Sequence, residues 1–215
     1  MDRLEGSLVL GQYVAGEING EKVKGYREEP GVDPNSLTPT FAAAKFFVDN
    51  WRWQGVPFYI RSGKRMSRKV SEIAIQFKRI PHLMLQSVEE ESIAPNVLIL
   101  SIQPEEKIML SFQTKMPGFK SCLRQVVMDF SYRSDGKGLA LDSYERMLLD
   151  GMLGDHMLFV QEEGVELTWS LLTPVLEAVE QGKRAPQFPN YRAGTSGPKE
   201  ADDLLEREED RWRRL

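Results

Sequence analysis

The sequence predicts an α+β fold, a large, mostly antiparallel sheet with helices covering one face. Three observations carry that reading. Between Val56 and Tyr132 apolar residues recur mainly at period two, the spacing of half-buried strands. The connector Gln103-Pro104-Glu105-Glu106 is too short for a parallel crossover, so the strands on either side of it are antiparallel neighbours. After Asp142 the period lengthens to that of a helix and stays so for most of the last third.

Leu8 to Val14 reads as a first strand, and Ile18-Asn19-Gly20-Glu21 as a turn. Glu28 to Pro39 is loop, rich in Pro, Gly, Asp and Asn. Thr38 followed by Pro39 predicts a helix start, with Ala44, Phe47, Val48 and Trp51 on one face and Gly55 as the stop. Residues 56–61 form the first strong strand signal. Ile73, Ile75 and Phe77 alternate with Ala74, Gln76 and Lys78, and 97–102 is a nearly continuous apolar run. Ile108, Leu110 and Phe112 alternate again, as do Met128, Phe130 and Tyr132. Asp142 with Glu145 three residues on has the pattern of a capping box. Trp169, Leu172, Leu176 and Val179 share a face of the next helix, which Pro174 is expected to kink or divide. Gly194 to Pro198 is a turn, and a charged helix follows from Lys199.

The chain has 215 residues and a net charge of −4, a length that suits one domain with a full core or two small ones. A hydrophobic fraction of 41% with 28% charged residues fits a soluble globular protein. Cys122 is the one cysteine and cannot form an internal disulfide, as expected of a reducing compartment. With no apolar run of ~18 residues and no basic-plus-apolar opening, a cytoplasmic protein without a membrane partner is expected. The acidic balance argues against a nucleic-acid partner. The short polar opening, and the lack of any glycine-rich strand-turn-helix, are expected of part of a longer chain.

Candidate chemistry concentrates in one place. Five basic residues (Arg61, Lys64, Arg65, Arg68 and Lys69) fall within nine positions without an acid among them. They follow a strand and a glycine, where ammonium groups can converge on an anion such as a sugar phosphate. Gly63 permits close backbone approach or a positive φ. Residue chemistry alone also fits a solvated hairpin tip, and favours it. His82 and His156 lack metal-ligand spacing, and Cys122 has no catalytic partner nearby. Asp142, Glu145 and Asp150 are explained by capping and by pairing with Arg146. Trp51 and Trp53 bracket Arg52 and read as core or interface aromatics. From these residues no catalytic group, metal site or cofactor-binding loop can be assembled.

The order and spacing of several short motifs add a resemblance. Leu10-Gly11-Gln12-Tyr13, Val23-Lys24-Gly25-Tyr26-Arg27 and Thr40-Phe41-Ala42-Ala43 come first. Arg52-Trp53-Gln54-Gly55-Val56-Pro57-Phe58 and Arg61-Ser62-Gly63-Lys64 follow, then Ile102-Gln103-Pro104 and Lys115-Met116-Pro117-Gly118. Asp142-Ser143-Tyr144-Glu145-Arg146 and Ser196-Gly197-Pro198 complete the series. Together, from about Leu8 to about Leu205, they resemble the C-terminal part of glucose-6-phosphate dehydrogenase.

The resemblance implies that residues 1–215 are a substrate-binding and dimerisation domain, with the N-terminal Rossmann-type coenzyme domain and the catalytic histidines absent. It implies a parent that oxidises glucose 6-phosphate to the 6-phosphoglucono-lactone with NADP, in the oxidative pentose phosphate pathway. Lys64 matches the lysine after the family's Arg-x-Gly, which contacts glucose 6-phosphate. Lys69 matches a second basic position on the substrate, and Gln103 a glutamine near the sugar. The implied partners are glucose 6-phosphate, the coenzyme domain and a second copy of the chain, with a tetramer left open. Vertebrate members hold a structural NADP through basic side chains in this domain. Val70, Ala74, Ser101, Ser111 and Ser196 stand at those positions here, leaving Arg61 and Asp129, so no NADP is expected on this chain. The alternative is a stand-alone, non-catalytic oligomerisation or assembly module of the same fold.

Overall fold

The computed structural model describes residues 7–79, 93–118, 123–132, 143–181, 187–205 and 211–213. The chain divides into two compact units, one formed by residues 1–68 with 142–215 and the other by 69–141.

In the first unit, strands β1 (Leu8–Gly11), β5 (Phe41–Phe47) and β6 (Pro57–Gly63) form an antiparallel sheet in the order β1-β5-β6. Two short strands, β3 (Gly16–Ile18) and β4 (Glu21–Val23), form the hairpin that Asn19-Gly20 predicts, with φ of 52° and 85° in its turn. β2 (Tyr13–Val14) pairs in parallel with β11 (Tyr191–Arg192), so residues far apart in sequence meet beside the sheet.

β5 overturns the helix expected from Thr38 to Trp51. Its residues pair on both sides, Ala43 with Val9 and with Arg61, and Phe41 and Ala43 alternate inward. Two ladders and a buried phenylalanine outweigh the helix propensity of three alanines. Gly55 does adopt a left-handed φ of 73°, but it ends a turn. Asn50 Oδ1 accepts the Arg52 and Trp53 N–H groups at 3.1 and 2.9 Å and shapes that turn. Trp53 packs edge-on against Phe58, whereas Trp51 is fully exposed, so only one of the two is a packing aromatic.

Tyr13, Phe41, Ala43, Tyr191, Ala193, Ala201 and Leu204 make the core of this unit. Phe41 is its pivot. A β-carbon on Gly197 would lie 2.4 Å from the Phe41 ring, and one on Gly63 would lie 2.8 Å from it. Gly197 also has a φ of 109°, so both space and backbone require glycine there. Two helices complete the unit, α1 (Ser143–Leu153) and α2 (Glu162–Glu180). α2 continues through Pro174 without the division expected there. Asp142, the expected cap of α1, lies outside the described residues, and the buried Asp150 is paired with Arg146 at 2.9 Å. The apolar side chains of Leu148, Met152, Trp169 and Leu172 are exposed.

The second unit is a four-stranded antiparallel sheet in the order β10-β9-β8-β7. Its strands are β7 (Ser71–Gln76), β8 (Val97–Gln103), β9 (Lys107–Lys115) and β10 (Leu123–Ser131). Directly opposed residues share a face. Ile73, Leu100, Ile108 and Phe130 form one cross-strand row, and Ile75, Leu98, Leu110 and Met128 the next. The α+β class therefore holds, with larger sheets of three and four strands in place of one large sheet.

The glycine cradle yields a stability prediction. Gly197→Ala should cost about 2–4 kcal/mol, strain and overpacking together. Gly31→Ala has a positive φ but open space around it, so it should cost only about 1–2 kcal/mol. Denaturant midpoints of the two variants test this, and equal losses would show that the Phe41 contact is not limiting.

Candidate functional site: a basic turn held from three sides

The basic turn begins where β6 ends. Gly63 is the last strand residue, opposite Phe41, and its missing side chain leaves room for Phe41 and Met66. The left-handed residue of the turn is Arg65, with a φ of 53°, while Gly63 serves close approach alone. Four backbone groups of the turn are bonded to other segments. The Lys64 N–H donates to the Thr40 carbonyl at 2.8 Å, and the Lys64 carbonyl accepts the Tyr191 hydroxyl at 2.8 Å. Gly194 N–H donates to the Arg65 carbonyl at 2.8 Å, and Ser67 N–H to the Thr195 carbonyl at 3.1 Å. Thr40, just before β5, and the 191–197 segment thus hold the turn between them, and Glu29 adds a third attachment through Arg65.

The cations of the turn differ in what they do. Arg65 is consumed within the fold, donating to Glu29 Oε1 at 3.0 Å, and that bond raises its already high pKa. The Tyr13 hydroxyl donates to the same oxygen at 3.3 Å, and burial raises the pKa of that phenol. Arg61 stacks over the Trp212 ring at 4.8 Å. Lys64, Arg68 and Lys69 are exposed, and among the described residues their charged groups have no hydrogen bond or ion pair. Lys64 belongs to the first unit and Lys69 opens the second. Within the second unit Gln103 pairs opposite Ser71, two residues beyond Lys69, so Lys69 and Gln103 belong to the same end of that sheet. Both are exposed.

A sequence profile described as glucose-6-phosphate dehydrogenase, C-terminal domain, matches residues 1–213. The chain belongs to that family. It is 46% identical over 212 residues to glucose-6-phosphate 1-dehydrogenase of Chlamydia pneumoniae, covering 97% of this chain and 41% of that one. The same enzyme of Aggregatibacter actinomycetemcomitans is 45% identical, with 98% of this chain and 41% of the relative covered. The chain therefore spans about two fifths of the length of the curated relatives it matches. A solved glucose-6-phosphate dehydrogenase in complex with its substrate glucose 6-phosphate superposes with a TM-score of 0.82 at 32% identity. That superposition covers 92% of this chain and 40% of the other. Glucose-6-phosphate 1-dehydrogenase from Mycobacterium avium gives a TM-score of 0.68 at 28% identity, covering 94% of this chain and 41% of the other.

Ser111 and Ser101, two of the residues for which the resemblance implied no structural NADP site, stand in β9 and β8. Ser111 is buried, and its hydroxyl accepts Gln125 Nε2 at 2.6 Å. The Ser101 hydroxyl donates to the Glu105 carbonyl at 2.8 Å. His156 sits edge-on to Phe159, while His82 and Cys122 lie outside the described residues. No helix among the described residues is long and apolar enough to cross a membrane.

The residues that sequence reasoning passed over are Thr40 and Tyr191. Both lay inside or beside segments recognised for other reasons. Nothing local in either segment announces a bond to the backbone of Lys64, which lies 127 positions from Tyr191.

Proposed function

We propose that this chain is the substrate-binding and dimerisation part of an NADP-dependent glucose-6-phosphate dehydrogenase. The parent oxidises the C1 hydroxyl of glucose 6-phosphate to the 6-phosphoglucono-lactone. Hydride passes to the coenzyme on a Rossmann-type domain outside these 215 residues. A general base on that other domain takes the hydroxyl proton. The lysines of this chain neutralise the phosphate dianion and so aim C1 at the nicotinamide. Lys64 and Lys69 contact the phosphate, and Gln103 the sugar. No catalytic residue and no coenzyme site belongs to this chain, which by itself is inactive. The parent acts in the cytoplasm.

The observation that carries this reading is the contrast within the turn. Lys64 has its backbone bonded on both sides and its ammonium unpaired among the described residues, whereas the adjacent Arg65 is tied to Glu29. Whole-chain membership of the family supports it, as does the likeness to a substrate complex.

Dimerisation rests on the second unit. Ile73, Ile75, Met128 and Phe130 lie in the two apolar rows of its sheet and are 42–61% exposed. A continuous apolar face of this kind calls for a partner, and a second copy covers it by two-fold symmetry.

Four outcomes test these proposals. In the full-length enzyme, Lys64→Ala and Lys69→Ala should each lower kcat/KM for glucose 6-phosphate roughly 10- to 150-fold, the loss of a charge-assisted contact worth ~1.5–3 kcal/mol. The KM for NADP should hold. Arg68→Ala is the control within the same turn and should change little, because Arg68 is solvated and the resemblance assigns substrate contacts to Lys64 and Lys69 and not to it. Arg65→Ala is not a clean control, since it also removes the Glu29 pair. Steady-state kinetics decide this, and an Arg68→Ala loss equal to that of Lys64→Ala would sink the assignment. NADP should leave the melting temperature of the isolated chain unchanged, although a ligand at 100 times its Kd adds ~2.7 kcal/mol. The isolated chain should also show no glucose-6-phosphate-dependent reduction of NADP. Light scattering at micromolar concentration should give a dimer mass that falls to the monomer in Phe130→Glu.

A further inference from the structure

We infer that Tyr191 is a positioning residue for substrate binding, fixing the Lys64 ammonium through its hydrogen bond to the Lys64 carbonyl. The inference rests on the reading of Lys64 as a phosphate ligand.

The ring of Tyr191 is buried against Tyr13 and Phe41, with ring centroids 6.2 and 5.6 Å away. Its hydroxyl has three oxygen neighbours, the Lys64 carbonyl at 2.8 Å, the Thr40 hydroxyl at 3.1 Å and the Thr40 carbonyl at 3.3 Å. A phenol has one proton, and the shortest contact takes it. The Thr40 hydroxyl then donates to the phenol oxygen, while its own oxygen accepts the Tyr13 N–H at 3.1 Å. The Gly11 carbonyl, 3.5 Å from the Thr40 hydroxyl, is a second acceptor for its proton, and either choice leaves the Tyr191 proton on the Lys64 carbonyl. Burial raises the pKa of the Tyr191 phenol, which therefore stays a donor at neutral pH.

The result is a clamp on one residue. The Lys64 N–H is bound by the Thr40 carbonyl and the Lys64 carbonyl by the Tyr191 hydroxyl. Both peptide groups around the Lys64 α-carbon are thereby attached to two adjacent buried groups. A lysine side chain has a long flexible stem, so its reach is defined only as well as its α-carbon is held. The Lys64 N–H bond to Thr40 continues the β5–β6 register one step past the Phe41–Gly63 pair, so the strands hold the N–H side of Lys64. The carbonyl side is held by Tyr191 from outside that ladder.

Tyr191→Phe keeps the buried ring and removes only the donor. In the full-length enzyme it should raise the KM for glucose 6-phosphate about three- to tenfold, the scale of one neutral hydrogen bond. The KM for NADP should stay at the wild-type value. On a Lys64→Ala background Tyr191→Phe should add nothing, because its effect runs through that lysine. A full additive loss in the double variant, or an equal rise in both KM values, would assign Tyr191 a merely structural role and overturn the inference. A wild-type KM in Tyr191→Phe, with Lys64→Ala impaired, would overturn it while leaving the phosphate reading standing. A wild-type Lys64→Ala would remove the phosphate reading, and this inference with it. Should Tyr191→Phe fail to fold, 4-aminophenylalanine at position 191, which keeps the ring and a weaker donor, takes its place in the same cycle: a smaller rise in the KM for glucose 6-phosphate that vanishes on the Lys64→Ala background supports the inference, and a wild-type KM or a fully additive loss overturns it.

Discussion

The seating of Phe41 among three glycines is the constraint on which the first unit depends. Gly11 and Gly63 are its partners in the strands on either side, and Gly197 comes from a turn near the other end of the chain. A β-carbon at any of the three would lie 3.1 Å or less from a Phe41 side-chain atom. A large ring in so tight a seat admits one register, since a slip by one residue would turn the ring out of the core. That register places Thr40 next to the end of β6. Thr40 then binds Lys64 through its carbonyl and Tyr191 through its hydroxyl. The apolar contact thus decides where the polar ones form.

The polar layer divides the basic residues by role. Arg65 supplies a backbone bend and an ion pair to Glu29, so its charge is satisfied within the protein. Lys64 is held by its backbone and leaves its charge for something else. In a chain of net charge −4 this matters, because a surface field spread over the whole molecule would repel a phosphate. Attraction has to be local, within the Debye length of ~8 Å. For the proposed phosphate, a fixed backbone carrying a lysine that is unpaired among the described residues meets that need. In the sheet of the second unit one face carries two unbroken apolar rows, and the other mixes Val97, Ile99, Met109 and Val127 with buried Ser111 and the Gln125 amide that bonds it.

The strands of the second unit were legible because alternation states which face is which, and each strand there has an alternating or wholly apolar pattern. The hairpin at Asn19-Gly20 was legible because its turn needs φ angles that few residues accept. β5 was not. Thr38-Pro39 followed by alanines satisfies the local rules for a helix, and only the ladders to β1 and β6 reverse the reading. Gly63 was read correctly as a place of close approach, but the positive φ falls on Arg65, a residue with no such local signal.

By itself the sequence determined the family, the α+β class and the position of the basic cluster, because these rest on residue order, periodicity and local charge. Tertiary structure alone decided which of the cations pair with other described residues and what fixes their backbone. Glu29 reaches Arg65 across 36 positions, and Tyr191 reaches Lys64 across 127. Neither contact leaves a trace in local pattern, since a buried hydroxyl meets a carbonyl only once the intervening chain has packed around Phe41.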